Sequence, residues 1–345
     1  MNTGRQFNLW VTVRGLSILV ALFSAIAFLA SPAMAEWKPN KPITIIVPWA
    51  AGGSTDQVTR VVAGEIEDAI GAKVVIVNQP GASGSIGTKS ALDAPKDGYT
   101  WAAGAAGDVG TYRVLGLLET DIQDWNLYFD VANVAVVGVN ASSPYKTMDD
   151  LLNAFKAKPG QIKVATAGQS SAGHLAIEII RKHSPFEYKH VTYDGGNPAV
   201  IATVAGETEV VTQLAVEQAD MLRAGKLRAL AVLSDQPLKI EGYGEVPPLT
   251  KWIPNFDYPP NYFGIWVPRG APHEVVETMN KVWREKISKA SKLQKYAESR
   301  GAVFAPYYGM DALRRVIPYI QNTAYVYADA GKAKMDPIDL GILRR

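Results

Sequence analysis

Three short stretches combine glycine, small residues and hydroxyl side chains in the way an anion cradle needs. The first is Trp49-Ala50-Ala51-Gly52-Gly53-Ser54, with Asp56 close behind; the second is Pro80-Gly81-Ala82-Ser83-Gly84-Ser85. The third is Thr166-Ala167-Gly168-Gln169-Ser170-Ser171-Ala172-Gly173, followed by His174. Each runs into a segment with helical periodicity. The first N–H groups of a helix lack an intrahelical partner and carry partial positive charge, so they attract carboxylate or phosphate without a cationic side chain. Glycine also serves tight turns for their own sake, which is the simpler account of any single loop. Three such loops at the carboxyl ends of predicted strands weigh against coincidence, because ligands of open α/β sheets lie along that edge. A further glycine turn, Tyr193-Asp194-Gly195-Gly196, precedes another helix.

Other chemistries fail on spacing. There is no Gly-x-Gly-x-x-Gly, since Gly104, Gly107 and Gly110 recur by threes, and Gly87-Thr88-Lys89-Ser90 has Thr where a P-loop needs Lys. Gly168-Gln169-Ser170-Ser171-Ala172 breaks the Gly-x-Ser-x-Gly elbow at its last position. A secreted serine hydrolase using Ser170 or Ser171 with His174 stays open as the alternative of another class. His174, His183, His190 and His273 form no His-Glu-x-x-His motif, and no metal or cofactor is expected. For His174, a structural hydrogen bond is favoured over ligand contact. Asp56 either caps the helix behind the first loop or orients a ligand-bound water, and Arg60 stands four residues on, at ion-pairing distance along a helix. Trp49 either walls a pocket or belongs to the core, whereas Trp101, Trp125, Trp252 and Trp266 read as packing residues.

Strands and helices must hold these loops in place. Residues 43–47 are apolar and β-branched, as in a parallel strand covered on both faces. Val58, Val62, Ile66 and Ile70 then repeat at helical spacing, with Ser54 as N-cap and Gln57 completing a capping box. A strand over 73–77 and a helix reaching about 92 follow. The same alternation predicts helix 149–157, strand 162–165, helix 173–182, strands 210–214 and 227–233, and helix 216–224. A proline-rich stretch, 237–260, breaks the pattern before a strand at 263–267. Two long helices, 272–300 and 310–330, finish the chain.

The chain has 345 residues, more than one core usually serves, and this predicts two lobes. The apolar run 16–30 after Arg5 and Arg14, ending in Ala33-Met34-Ala35, reads as a signal peptide cleaved after Ala35. Of 35 basic residues two lie in that segment, leaving 33 against 33 acidic ones, a balance that argues against nucleic acid. With no cysteine, disulfides, thiolate metal sites and thiol nucleophiles are excluded. Proline-bearing loops beside apolar strands place the lobe boundaries: 36–138 with 262–345 forms a discontinuous first lobe and 139–261 an inserted second one. The chain then crosses twice, through 131–139 and 262–267.

The ordered set of motifs resembles the substrate-binding proteins of tripartite tricarboxylate transporters, the Bug family. It comprises Lys41-Pro42-Ile43, Val47-Pro48-Trp49-Ala50-Ala51-Gly52-Gly53 with Asp56, and Asn78-Gln79-Pro80-Gly81-Ala82-Ser83-Gly84-Ser85-Ile86-Gly87. Asp97-Gly98-Tyr99-Thr100, His174-Leu175 and Val191-Thr192-Tyr193-Asp194-Gly195 complete it. The resemblance implies an α/β, two-lobed periplasmic binding protein, type II-like, each lobe a mainly parallel sheet flanked by helices. It implies a monomer that closes on a small organic carboxylate, catalyses nothing, and delivers its ligand to integral-membrane permease subunits; reporting to a membrane sensor is the alternative. One ligand carboxylate would be held by backbone amides and ordered water in the loops of Trp49, Ala51, Gly52, Gly53, Ser54 and Asp56, and of Ala82, Ser83, Gly84 and Ser85. The far end would be read by Thr166, Gly168, Ser170, Ser171 and His174 with Tyr193, Asp194 and Gly195. The family often has Phe at the position of Trp49 and Arg at that of Gln79, so aromatic carboxylates stand beside di- and tricarboxylates as candidates.

Overall fold

The computed structural model describes residues 37–256 and 258–344; the signal-peptide reading falls outside them. The compact unit from Lys38 onward holds two main sheets. The first contains β1 (Ile43–Val47), β2 (Val74–Asn78), β3 (Thr100–Ala105), β4 (Trp125–Asn133), β12 (Asn261–Pro268) and β13 (Val303–Phe304), in the order β13-β4-β12-β3-β1-β2. The second contains β5 (Ala135–Asn140), β6 (Lys163–Thr166), β7 (Lys189–Thr192), β8 (Val210–Leu214) and β9 (Leu227–Val232), in the order β7-β6-β8-β5-β9.

In β1, Ile43, Ile45, Ile46 and Val47 are all buried, as a strand with parallel neighbours on both sides requires. Both sheets keep most strands pointing one way. The reversals fall at β12 and β13 in the first and at β5 in the second. Two of these are crossing strands: the chain leaves the first sheet at Asn133, enters the second at Ala135 in β5, and returns as β12.

Helices α1 (Ser54–Ile70), α2 (Ser85–Asp93) and α3 (Ala106–Leu115) follow β1, β2 and β3. In the second half α4 (Met148–Ala157), α5 (Ala172–His183), α6 (Gly196–Val204) and α7 (Ala215–Arg223) alternate with strands. Then come α8 (His273–Glu285), α9 (Ser291–Arg300) and α10 (Gly309–Asp329). Among the described residues no helix is long and apolar enough to cross a membrane.

The elements depart from the sequence reading in several places, among them β3, β4 and β7, which it did not assign. Gly53, not Ser54, is the N-cap of α1 and so offers no capping side chain of its own; Gln57 Nε2 donates to the Gly52 carbonyl at 2.7 Å. The single helix expected over 272–300 is two, α8 and α9, joined by a 3-10 turn at Ile287–Lys289. The break lets Ile287 and Ala290 bury in line with Trp283 before them and Leu293 after. The proline-rich stretch holds a small hairpin, β10 (Leu238–Ile240) with β11 (Gly244–Val246). Finally, the glycines spaced by threes belong to α3, which sequence reading left unassigned. A methyl on Gly107 would lie 2.4 Å from the Tyr319 ring and one on Gly110 2.4 Å from Ile320, so the glycines let α3 press against α10.

Each sheet has its own core. Ala102, Phe129, Trp266 and Val316 belong to the first, and Phe155, Ile177, Val210 and Leu230 to one face of the second. A smaller cluster joins Leu175 and Ile179 of α5 to Tyr319, Val326 and Tyr327 of α10, sealing the two halves together away from the loops.

Candidate functional site

The ends of β1, β3, β6 and β8 point their loops into one narrow cleft between the sheets. It is lined by Trp49, Gly53, Ser54 and Thr55 behind β1, Ala105 and Asp108 behind β3, and Ala167, Ser171 and Ala172 behind β6; Gly196, Gln213, Leu214, Glu217 and Phe263 complete it. These are the carboxyl ends of parallel strands and the N-termini of α1, α3, α5, α6 and α7, which is where such sheets bind ligands. The cavity measures about 20 Å³, room for about one water molecule. An organic acid does not fit a space of that size.

Glu217 stands at the centre. It is the third residue of α7, and its carboxylate accepts the Leu214 N–H at 3.2 Å and, across the cleft, the Ser54 N–H at 3.0 Å. The Gln213 amide, turned with its nitrogen toward Glu217, donates to Oε2 at 2.9 Å while its oxygen accepts the Ala167 N–H. Gly196 makes this approach possible, since a methyl there would sit 2.1 Å from the carboxylate. Burial raises the pKa of Glu217, and the donors at Ser54 and Leu214 oppose that rise. Asp108, 4% exposed, accepts a hydrogen bond at Oδ2 from Trp49 Nε1 at 3.3 Å. Burial pushes its pKa well up, Trp49 holds it back, and the charge of Glu217 adds to the rise.

The predicted residues divide into three groups. Trp49, Gly53, Ser54 and Ser171 line the cleft. Others form the seam where the two halves touch beside it: Ser83 Oγ accepts the Gln169 N–H at 3.0 Å, Ser170 Oγ donates to the Ser83 carbonyl at 2.9 Å, and the Ala50 N–H donates to the Asp194 carbonyl at 2.9 Å. Gly168 packs on Ser83 and Gly195 on Ala50, while Gly84 packs on Trp49 within the first half. The remainder serve local structure. The Gly52 N–H donates to Asp56 at 2.9 Å, and Arg60 grips the same carboxylate through two hydrogen bonds, at 3.1 and 2.8 Å. Burial would raise the pKa of Asp56, but Arg60, Gly52 and Asn78 outweigh it and hold the acid low. Ser85 Oγ donates to the Ala82 carbonyl, Thr166 Oγ1 meets His190 Nε2 at 2.6 Å, and Tyr193 donates to Glu207. Ala51 is exposed.

His174 faces away from the cleft. Its Nδ1–H donates to the Gln169 carbonyl at 2.7 Å, Nε2 lies 3.5 Å from buried Glu178, and the ring stacks on His190 and Tyr327. Ser170 and Ser171 both donate to backbone carbonyls, of Ser83 and Gly168, so neither serine is paired with the imidazole as a nucleophile needs.

Sequence reasoning missed Asp108, Gln213 and Glu217. Asp108 lies in the unassigned α3. Glu217 was placed within a helix taken to start at residue 216; the signal available was Leu214-x-x-Glu217, whose spacing puts a carboxylate over a helix N-terminus.

A family model described as the tripartite tricarboxylate transporter family receptor matches residues 58–322. Protein BugT of Bordetella pertussis is 28% identical over 287 residues, covering 81% of this chain and 86% of that protein. A solved structure described as a periplasmic transporter superposes with a TM-score of 0.76 at 26% identity, covering 84% of this chain and 97% of that one. A protein of R. palustris solved with adipate superposes with a TM-score of 0.77 at 24% identity, covering 85% and 98%.

Proposed function

Because the chain belongs to the tripartite tricarboxylate transporter receptor family, we propose that it is an exported periplasmic receptor that encloses a small organic carboxylate and hands it to membrane permease subunits. The lobes in this reading are residues 36–138 with 262–345, and 139–261, moving about the two crossings. One observation carries it: α1 and α5, from opposite sides, aim their first turns into a single cleft, with Thr55 and Ala172 on its wall. First-turn N–H groups hold a carboxylate without arginine. Hinge closure about such a ligand is the ordinary action of two-lobed binding proteins.

The alternative of a serine hydrolase finds no support in the Ser170, Ser171 and His174 hydrogen bonds. The R. palustris protein of this fold was solved with adipate, which makes dicarboxylates the first probes. In calorimetry and thermal unfolding against mono-, di- and tricarboxylates, at least one acid should bind and raise the melting temperature. Failure of every acid to do so overturns the reading.

A further inference from the structure

This inference rests on the carboxylate-receptor reading and concerns how the two halves move. A cleft with room for about one water molecule has to widen before an acid enters it, so that reading needs a second arrangement. The chain leaves the first sheet after Asn133 and returns to it at Asn261, and these two residues are direct partners in the β4–β12 ladder. Both are 1% exposed. Directly opposed residues of an antiparallel pair project from the same face with Cβ atoms about 4.5–5.5 Å apart, within reach of a bond between side-chain amides. Yet Asn133 Oδ1, an acceptor, and Asn261 Nδ2, a donor, each lack a hydrogen-bond partner among the described residues. Asn261 is engaged elsewhere: its Oδ1 accepts, at 3.4 Å, the N–H of Gly107, which precedes Asp108 of the cleft wall in the first turn of α3.

The same stretch of β4 repeats the pattern. The ladder slips between Phe263, opposite Val131, and Gly264, opposite Phe129, leaving Asp130 as the extra residue of a bulge. Its Oδ2 has no partner among the described residues, nor has the buried hydroxyl of Tyr296 on α9, which lies close enough to feel the charge of Asp130. Buried polar atoms left unmet are costly, and an arrangement that joins a complementary pair recovers that cost. A bulge bends its strand and disrupts the ladder locally, so the crossing is where the path of the chain changes most easily.

We propose that Asn133 and Asn261 form a two-state hinge contact: Asn261 Nδ2 donates to Asn133 Oδ1 when the cleft is wide, and the bond is broken when the cleft is narrow and Gly107 holds the Asn261 amide. The contact favours the wide form that admits ligand. Movement of α3 at the cleft wall is passed to the crossing strands through Asn261. A ligand biases such an equilibrium only by acting on an element that has two discrete arrangements, and this pair supplies one.

The chain has no cysteine, so a pair of spin labels can be placed without competing thiols. Lys89→Cys on α2 and Ile201→Cys on α6 put one exposed label on each half, and pulsed dipolar spectroscopy reads the distances between them in the ligand-free protein. Asn133→Ala should shift the population from the longer distance toward the shorter by about fivefold, the effect of one hydrogen bond. Asn133→Ser, whose side chain is too short to meet Asn261, should shift it the same way, and thermal unfolding identifies which of the two variants is folded. Populations that stay as in the wild type, or move toward the longer distance, overturn the inference; where an acid still binds the wild type in calorimetry, the carboxylate receptor stands. Absence of binding by every mono-, di- and tricarboxylate overturns the receptor reading, whatever the label distances.

Discussion

The main-chain N–H of Ser54 donates to Glu217 Oε1 at 3.0 Å, tying the first turn of α1 on one side of the cleft to the first turn of α7 on the other. The donor is one of those that a bound carboxylate would use. In the proposed reading Glu217 thus fills part of the anion cradle with an acid that belongs to the protein, and the bond helps hold the two walls of the cleft together. A ligand arriving at Ser54 has to displace this carboxylate or complement it.

Removing the tether should open the ligand-free protein. Glu217→Ala deletes a charged hydrogen bond, a contribution of about 1.5–3 kcal/mol, while α7 keeps its other turns. Small-angle scattering should report a larger radius of gyration for the variant without ligand. An unchanged radius would mean that other contacts hold the closed form unaided.

Asp130 gives a pH dependence of known sign. It is fully buried, Oδ2 has no partner among the described residues, and burial, offset only by its neighbouring backbone N–H groups, lifts its pKa from 3.8 to about 7. A raised carboxyl binds its proton more tightly in the folded state, so the folded protein is favoured below pH 3.8 and loses that advantage as pH climbs to about 7. The loss reaches at most about 4 kcal/mol. Asp130→Asn should flatten the fall in melting temperature between pH 5 and pH 8, and equal slopes in variant and wild type would refute it.

Much of the frame was legible because its signals are local. The apolar run at Ile43–Val47, the run Val210–Leu214 and the glycine loops need no tertiary information to be recognised, and β1 and β8 keep those bounds. The centre of the cleft was not legible. Asp108 sits in a helix whose glycines lower helix propensity and make sense only once Tyr319 and Ile320, from the far end of the chain, are packed on them. Glu217 has the composition of a surface helix residue, and only the fold brings Ser54 to it. His174 was expected both to make a structural hydrogen bond and to stand among the ligand-reading residues; its place in a helix's first turn could not decide between them, because its partners, Gln169 and Glu178, depend on the loop's path.

The α3–α10 contact should be unforgiving of volume. Gly110→Ala puts a methyl 2.4 Å from the Ile320 side chain, and overpacking of this sort costs about 1–3 kcal/mol even though alanine favours helix. Ile320→Val in the same chain should recover part of the loss, measured as urea midpoints of the two single variants and the double. Strict additivity would show that the two residues do not press on each other.

Glu178 ties the first turns of α5 to Tyr188 and Arg181. It is 1% exposed, takes two hydrogen bonds or ion contacts from Arg181, at 2.9 and 2.7 Å, and accepts the Tyr188 hydroxyl at 2.6 Å. Burial works against its ionisation, but His174, Tyr188 and Arg181 outweigh it and lower its pKa to about 2. The sign is opposite to that of Asp130: the stabilisation is complete above the ordinary value of 4.5 and is lost as pH falls toward 2. Glu178→Gln should lower stability at pH 7 by about 2–3 kcal/mol, the range for breaking a buried ion pair reduced because Arg181 is partly exposed. Urea titrations at pH 7 and pH 3 decide it, since the gap between variant and wild type should narrow at the lower pH, where the carboxylate begins to protonate.

Ser83 lies where the second and third loops meet, and its backbone is in the left-handed region at φ 56°. Its hydroxyl accepts the Gln169 N–H, whereas its carbonyl accepts from Ser170. Ser83→Ala removes only the first of these and keeps the strain, so the closed form should lose about 1 kcal/mol. Ser83→Gly loses the same hydrogen bond but relieves the left-handed strain, which glycine tolerates freely. If the seam acts in closure, ligand affinity should fall about fivefold in the alanine variant and less in the glycine variant, because strain relief favours the closed loop. Calorimetry with whichever acid binds the wild type measures the order, and equal affinities in all three proteins would remove Ser83 from the closing mechanism.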